Sequence, residues 1–287
     1  MTDVMVVGAS SFIGKALYHS LKSRPFLRVC GTYCHSQVSD ELLHVDITSY
    51  EDIERLVEGA EEFLVWIAGC KDVRHCEEDQ GWAESINFLP VKNLLKAIHR
   101  SGKHLKILFI STDYVFDGQT GGYKANEAVC PVTEYGRSNA EAEDILLQSD
   151  MDFKIIRTAA VMGRGGVFFD WLVKALKTEE KLSLFENVVF SPTPLKLLTQ
   201  TLTDVIEEYD SITDNIMHVV GNVPMSRYSF GMMVASLLNS QTMLLPIQVD
   251  LNRTLFQKDL SLIPSSYMNR YDGVCMKDRI SLELADY

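Results

Sequence analysis

With 287 residues, 46% of them hydrophobic and 23% charged, the chain has enough apolar material for a sizeable buried core and carries no low-complexity tract. A formal net charge of −12 argues against a nucleic-acid partner, because neutralising phosphates needs clustered Lys and Arg. No stretch reaches the roughly 20 apolar residues of a membrane span, so no membrane partner is expected either.

The chain enters an apolar strand at residue 4 without the charged region, apolar core and cleavage site of a signal peptide, so a cytoplasmic location is expected. Strands are predicted at 4–7, 27–32, 43–45, 63–68, 107–111, 153–157 and 216–220, as apolar, β-branched runs. Between them helical periodicity predicts helices at 12–22, 50–58, 82–100 and 135–148. Later helices follow in "FFDWLVKALKTEE" and at 196–209 and 228–239. The last fifty residues are irregular and yield no assignment. Strand, helix, strand from the first residue predicts an α/β fold with a doubly wound parallel sheet. The expected division is a dinucleotide-binding domain over 1–160, with 190–225 packing back on it, and a smaller α/β substrate-binding domain over 161–287.

"VMVVGASSFIGKAL" puts Gly8 at the end of the first strand and Gly14 in the start of the first helix, with Ala9, Ser10 and Ser11 between. A dinucleotide needs a tight turn there, close backbone approach to its pyrophosphate and helix N–H groups aimed at the anion. Ser11 stands where a middle glycine is commoner, and its side chain either bonds phosphate or crowds it. With Phe12 and Ile13, these residues form the expected cofactor loop. The second strand runs out into Cys34, His35 and Ser36 with no carboxylate for an adenosine ribose, which leans toward NADP(H) over NAD(H). Asp46, followed by Ile47, either accepts from the adenine amino group or caps the next helix. Ala68 and Gly69, after the fourth strand, complete the expected cofactor-facing set.

"LKILFISTDYVFDG" is a buried strand ending in Ser111 and Thr112, and "EYGRSNAEAE" opens a helix with Tyr135. A hydroxyl at a strand end and a tyrosine on the next helix can hold a carbonyl oxygen and deliver a proton to it. No metal is expected. The six cysteines lack a C-x-x-C pair and read as reduced thiols, and His75-Cys76 lacks further ligands.

These motifs, with "DVRHCEED", "ESINFLPVKNLL", "IIRTAAVMG", "FSPTPLKLL" and "MHVVGNVPMSRYSF", resemble the extended short-chain dehydrogenase/reductase superfamily and its Rossmann-like fold. Within it the chain is similar to the dTDP-4-dehydrorhamnose reductase family, which includes the regulatory β subunit of methionine adenosyltransferase. The resemblance implies hydride transfer from a reduced nicotinamide to the keto group of a nucleotide-linked deoxysugar. It makes Thr112 the hydroxyl beside the substrate carbonyl, Tyr135 the proton donor and the region after Gly163 part of the sugar-nucleotide domain. Four positions depart from the family: Asn139 for lysine, Ser11 for glycine, Arg74-His75 for Asp-Arg, and Val167 for asparagine.

Asn139 is the departure that bears on mechanism. Residues four apart share a helix face, so Tyr135 and Asn139 both point at the cofactor, and asparagine can hold the nicotinamide ribose. It cannot lower the tyrosine pKa as an ammonium does. A shift of ~2 units is worth nearly 3 kcal/mol, or on the order of a hundredfold in rate. Two classes stay open: a sugar-nucleotide reductase using Thr112, Tyr135 and Asn139, and a dinucleotide-binding regulatory subunit. Arg164 is a candidate for a diphosphate, although an exposed loop arginine is the commoner reading. Trp171 and its apolar stripe read as core before interface, leaving a homodimer open.

Overall fold

The computed structural model describes residues 1–35 and 40–287. Ser36 therefore lies outside the described residues. In chain order the elements are β1 (Thr2–Val7), α1 (Phe12–Lys22), β2 (Leu27–Tyr33), β3 (Leu43–His44), α2 (Tyr50–Gly59), β4 (Phe63–Trp66), α3 (Val73–Glu78) and α4 (Gln80–Ala83). A π turn over Glu84–Phe88 joins α4 to α5 (Leu89–Ser101), and then come β5 (Lys106–Thr112), α6 (Glu134–Leu147), β6 (Asp152–Thr158) and β7 (Val161–Met162). The second half holds α7 (Val167–Thr178), β8 (Lys181–Phe185), β9 (Val189–Phe190), β10 (Thr193–Pro194), α8 (Leu195–Glu207) and β11 (Ile216–His218). It continues through β12 (Met225–Ser226), α9 (Arg227–Leu238), β13 (Met243–Ile247) and α10 (Met276–Leu284).

Seven strands form one sheet in the order β11-β6-β5-β4-β1-β2-β3, and every pairing in it is parallel. The order reverses at β1, the switch point of a doubly wound sheet, which opens a crevice at the carboxyl ends of β1 and β4. All seven strands read from the sequence are in this sheet. For the central strands β1, β4, β5 and β6 the legibility has a physical cause: both faces are largely covered, so residues on either face are mostly apolar. Met5 and Val7 pack with Ile53, Leu94 and Leu146 of α2, α5 and α6. Val4 and Val6 pack on the opposite face with Leu17 of α1 and Leu198 and Leu202 of α8. A separate cluster joins Phe169, Leu172, Leu184, Phe230 and Ile280 of α7, β8, α9 and α10. The final fifty residues, unassigned from sequence, contain β13, two 3-10 turns and α10. Among the described residues no helix is long and apolar enough to cross a membrane.

One buried ionic network fixes the strand and helix that carry the site. Arg157 of β6 donates to Glu143 of α6 through Nη2 at 2.6 Å and Nε at 3.0 Å, and through Nη1 to the Ala125 carbonyl at 3.2 Å. Ser111 of β5 also donates to Glu143, and the guanidinium lies 5.1 Å from the Phe116 ring centre. Both charged side chains are 2% exposed, so neither has water to fall back on.

Candidate active site

Gly8 ends β1 with φ +90°, and a Cβ there would lie 3.0 Å from the Ala68 nitrogen. A Cβ on Gly14 would lie 2.0 Å from the Gly8 carbonyl oxygen. The turn and the first helix thus close on each other as only glycines allow. Thr32 of β2 ties the turn down, accepting from Gly8 N through its hydroxyl at 3.0 Å and from Ser10 N through its carbonyl at 3.3 Å. Ser11 resolves its two readings in a third way. It is the N-cap of α1, and its Oγ accepts from Gly14 N at 3.1 Å. The N–H groups of Phe12 and Ile13, in the first turn, have no intrahelical partner.

A cavity of about 510 Å³ runs from this turn along the carboxyl ends of the strands. Ser11, Phe12, Ile13, Ala68 and Gly69 line one end, and Thr112, Tyr135 and Asn139 line its middle. Gly8, Ser10 and Gly14 shape the turn behind that wall. His35 is exposed and outside the cavity wall. Ile47 is 7% exposed and packs in the core under α2, since its side chain faces the sheet. Asp46 does not cap α2. Ser49 takes that place, accepting from Asp52 N at 3.3 Å, while Asp46 accepts from Thr48 N at 2.9 Å and Thr48 Oγ1 at 2.7 Å.

At the centre, Thr112 ends β5 and Tyr135 opens α6. A Cβ on Gly136 would lie 2.1 Å from the Tyr114 carbonyl oxygen, so the glycine lets α6 press onto the turn after β5. Thr133 and Glu77 cap α6, accepting from Gly136 N at 3.1 Å and from Glu134 N at 2.6 Å. Burial holds the Tyr135 phenol well above its ordinary range, and a hydrogen bond from Thr112 pulls the other way. Asp113, 5% exposed, has its carboxyl pushed up to about 7 by burial, against the hydrogen bond from Thr112 at 3.0 Å. Burial pushes the Tyr114 phenol up to about 12, and its ring meets that of Tyr135 edge-on at 5.5 Å.

Asn139 is 8% exposed, and its side-chain amide donates to the Tyr135 carbonyl at 2.7 Å. One of its two N–H groups is therefore used within the helix, leaving the other N–H and the oxygen as its contribution to the cavity. Arg137 faces away, paired with Glu134. Arg164 is exposed and donates to the Asp286 carbonyl at 2.6 Å, away from the cavity wall, because the loop after β7 turns it toward α10. Val167, 76% exposed, stands at the rim. Arg74 and His75 are exposed, and His75 stacks on Trp82 with ring centres 3.9 Å apart.

Three further wall residues were not singled out from the sequence, although Asn87 and Arg227 lie in motifs that carry the resemblance. Asn87, in the π turn, accepts from Cys70 N at 2.8 Å and donates to Ser138 at 3.2 Å, bridging the loop after β4 to α6. Arg227, the first residue of α9, lies 4.5 Å from the Phe168 ring centre, 5.2 Å from that of Phe256 and 5.5 Å from that of Phe190. Gln257 is 9% exposed beside it. The six cysteines are unpaired thiols, and among the described residues no cluster of three metal-ligating side chains occurs.

Comparison with known proteins places this geometry in a family. A probable low-salt glycan biosynthesis reductase of Haloferax volcanii is 26% identical over 262 residues, 86% of this chain and 85% of the relative. The methionine adenosyltransferase 2 subunit beta of Xenopus tropicalis is 22% identical over 254 residues, 82% of this chain and 72% of the relative. A solved dTDP-4-dehydrorhamnose reductase from Bacillus anthracis in complex with NADP shares the fold at 22% identity and TM-score 0.83, over 100% of this chain and 99% of that one. The model of the RmlD substrate binding domain family matches residues 1–256, and the chain belongs to that family.

Proposed function

We propose that the chain reduces the keto group of a nucleotide-linked deoxysugar such as dTDP-4-dehydrorhamnose, using a nicotinamide dinucleotide, NADP(H) in preference to NAD(H). The observation that carries this is that Thr112 and Tyr135 share one cavity with the glycine turn of β1 and α1. Relatives named as reductases of glycan and deoxysugar biosynthesis support it. The residues fit a dinucleotide, because Gly8 and Gly14 let the turn and the helix start close on each other and the first-turn N–H groups of Phe12 and Ile13 have no intrahelical partner to compete with a phosphate. Lys71, 5.4 Å above the Phe12 ring, adds positive charge at the same end. The NADP(H) preference rests on the missing acid after β2.

A bound reduced nicotinamide supplies the hydride. Tyr135, kept protonated by its raised pKa, acts as the acid that gives its proton to the keto oxygen. The Thr112 hydroxyl, which gives its one hydrogen to Asp113 in this structure, turns it to Tyr135 to stabilise the phenolate that remains. Asn139 presents its oxygen to a ribose hydroxyl. Residues 1–160 serve the cofactor and 161–287 mainly the sugar nucleotide, with 190–225 supporting the first unit, and a homodimer is the assembly to test by sedimentation.

Mixing the protein with NADPH and a dTDP-4-keto-6-deoxysugar tests the reading through loss of nicotinamide absorbance. Saturable dinucleotide binding without turnover would favour the second reading, a binding subunit, to which the loss of the family lysine at Asn139 points. Fluorescence titrations with NADPH and NADH test the cofactor preference, and equal affinities would defeat it.

A further inference from the structure

Two buried polar side chains share one wall of the cavity without the partners that burial ordinarily demands. The Nε of Arg227 is shielded from solvent and has no hydrogen-bond partner. The same holds for both polar atoms of the Gln257 amide, Nε2 and Oε1. Leaving such groups unsatisfied costs free energy, and a native protein keeps them where a ligand supplies the missing bonds. Their surroundings give them no internal alternative. Arg227 sits among the rings of Phe168, Phe190 and Phe256, which hold a guanidinium plane but accept no hydrogen bond in its plane. Desolvation weakens its hold on its proton, and the charged groups acting on it are Asp113 and Tyr114. Tyr114 does not neutralise it near neutrality, since burial pushes that phenol up to about 12, and Asp113, with its carboxyl pushed up to about 7, does so only in part.

Gln257 is held in place by backbone rather than by its own polar atoms. Asp259 N donates to the Gly118 carbonyl at 2.8 Å, Val189 N to the Lys258 carbonyl at 2.9 Å, and Leu260 N to the Val189 carbonyl at 3.1 Å. Gly118, at φ +64°, leaves room for the Gln257 stem, which a Cβ there would meet at 2.4 Å. The segment is thus fixed and places Gln257 on the cavity wall, with Oε1 turned toward Gly118.

We propose that Arg227 and Gln257 form the recognition pair for the glycosyl-phosphate part of the substrate, Arg227 taking an anionic phosphate oxygen and Gln257 a hydroxyl of the attached sugar. The chemistry divides the roles. A guanidinium only donates and favours an anion, whereas an amide both donates and accepts, as does a sugar hydroxyl. The pair rests on the sugar-nucleotide reading and adds which residues read its two halves.

The test uses calorimetric titration of NADPH-loaded protein with dTDP-glucose and with dTDP alone. Gln257→Leu should weaken dTDP-glucose about tenfold, leave dTDP unchanged and, by removing unsatisfied polar atoms, leave the ligand-free protein at least as heat-stable as the parent. Arg227→Met should weaken both ligands about tenfold to a hundredfold. Unchanged NADPH affinity in both variants supports the assignment. Equal dTDP-glucose affinity in Gln257→Leu and the parent overturns it, as does an equal loss of dTDP and dTDP-glucose in that variant. A parent that binds dTDP-glucose with this pattern but turns over no keto-sugar would sink the reductase reading and leave the pair standing.

Discussion

The side-chain amide of Asn139 is bound to the carbonyl of Tyr135 one helical turn back, at 2.7 Å. The residue in the lysine position thereby ties one of its two N–H groups into the helix and, being neutral, gives the phenol no positive neighbour. Asn139→Lys should restore one, lower the Tyr135 pKa and raise turnover by about tenfold to a hundredfold. The gain should be larger for alcohol oxidation than for keto reduction, since oxidation needs the phenolate. Initial rates in both directions check this, and an equal gain in each would contradict the electrostatic account.

Asp113 gives a pH dependence of definite sign. Its folded pKa, about 7, is above the ordinary 3.8, so the folded state holds a proton that the unfolded state has lost across that window. Stability from this group therefore falls as pH rises from 3.8 to about 7 and is level above, with a slope of at most about 1.4 kcal/mol per pH unit. Tyr114, Arg227 and Tyr135 face it, and Cys76 lies beyond Tyr135. Urea unfolding of the protein and of Asp113→Asn across this range should give a difference curve with that slope. A flat difference would mean that the carboxyl ionises normally.

Gly136→Ala places a methyl 2.1 Å from the Tyr114 carbonyl oxygen, and neither backbone can yield cheaply. Displacement of α6 should move Tyr135 away from Thr112, lowering kcat about a hundredfold and stability by about 1–3 kcal/mol. Steady-state kinetics with chemical denaturation read both. A large stability loss with kcat intact would show that α6 tilts without disturbing the phenol.

Glu143→Gln should destabilise the fold by about 3–5 kcal/mol, because Arg157 is left charged at 2% exposure. The double change Glu143→Leu with Arg157→Met should recover most of that loss. Denaturant midpoints for the single and double variants decide it. Additive losses would mean that the two side chains contribute separately.

The central strands β1, β4, β5 and β6 were legible because they are largely buried on both faces and so read as apolar runs, and α1 was legible from its periodicity between two clear strands. Short elements were not: β7, β9, β10 and β12 have two residues each and no periodicity to show. Thr112 and Tyr135 stood out because strand end and helix start are sequence features. Arg227 and Gln257 did not, since their place in the cavity depends on which distant segments pack together. Of the two readings left open for Asp46, only the cap is excluded. A carboxylate near a helix start suggests a cap, yet Ser49 lies closer to the first turn and takes the bond.

The π turn over Glu84–Phe88 has a consequence for how this helix tolerates changes in length. It accommodates one residue more per turn than the α-helical segments on either side, and it is there that Asn87 reaches both Cys70 and Ser138. Removing a single residue from this turn would let α4 and α5 merge into one regular helix while swinging position 87 by roughly 100° about its axis. The strut between the loop after β4 and α6 is thus encoded by chain count as well as by the asparagine itself.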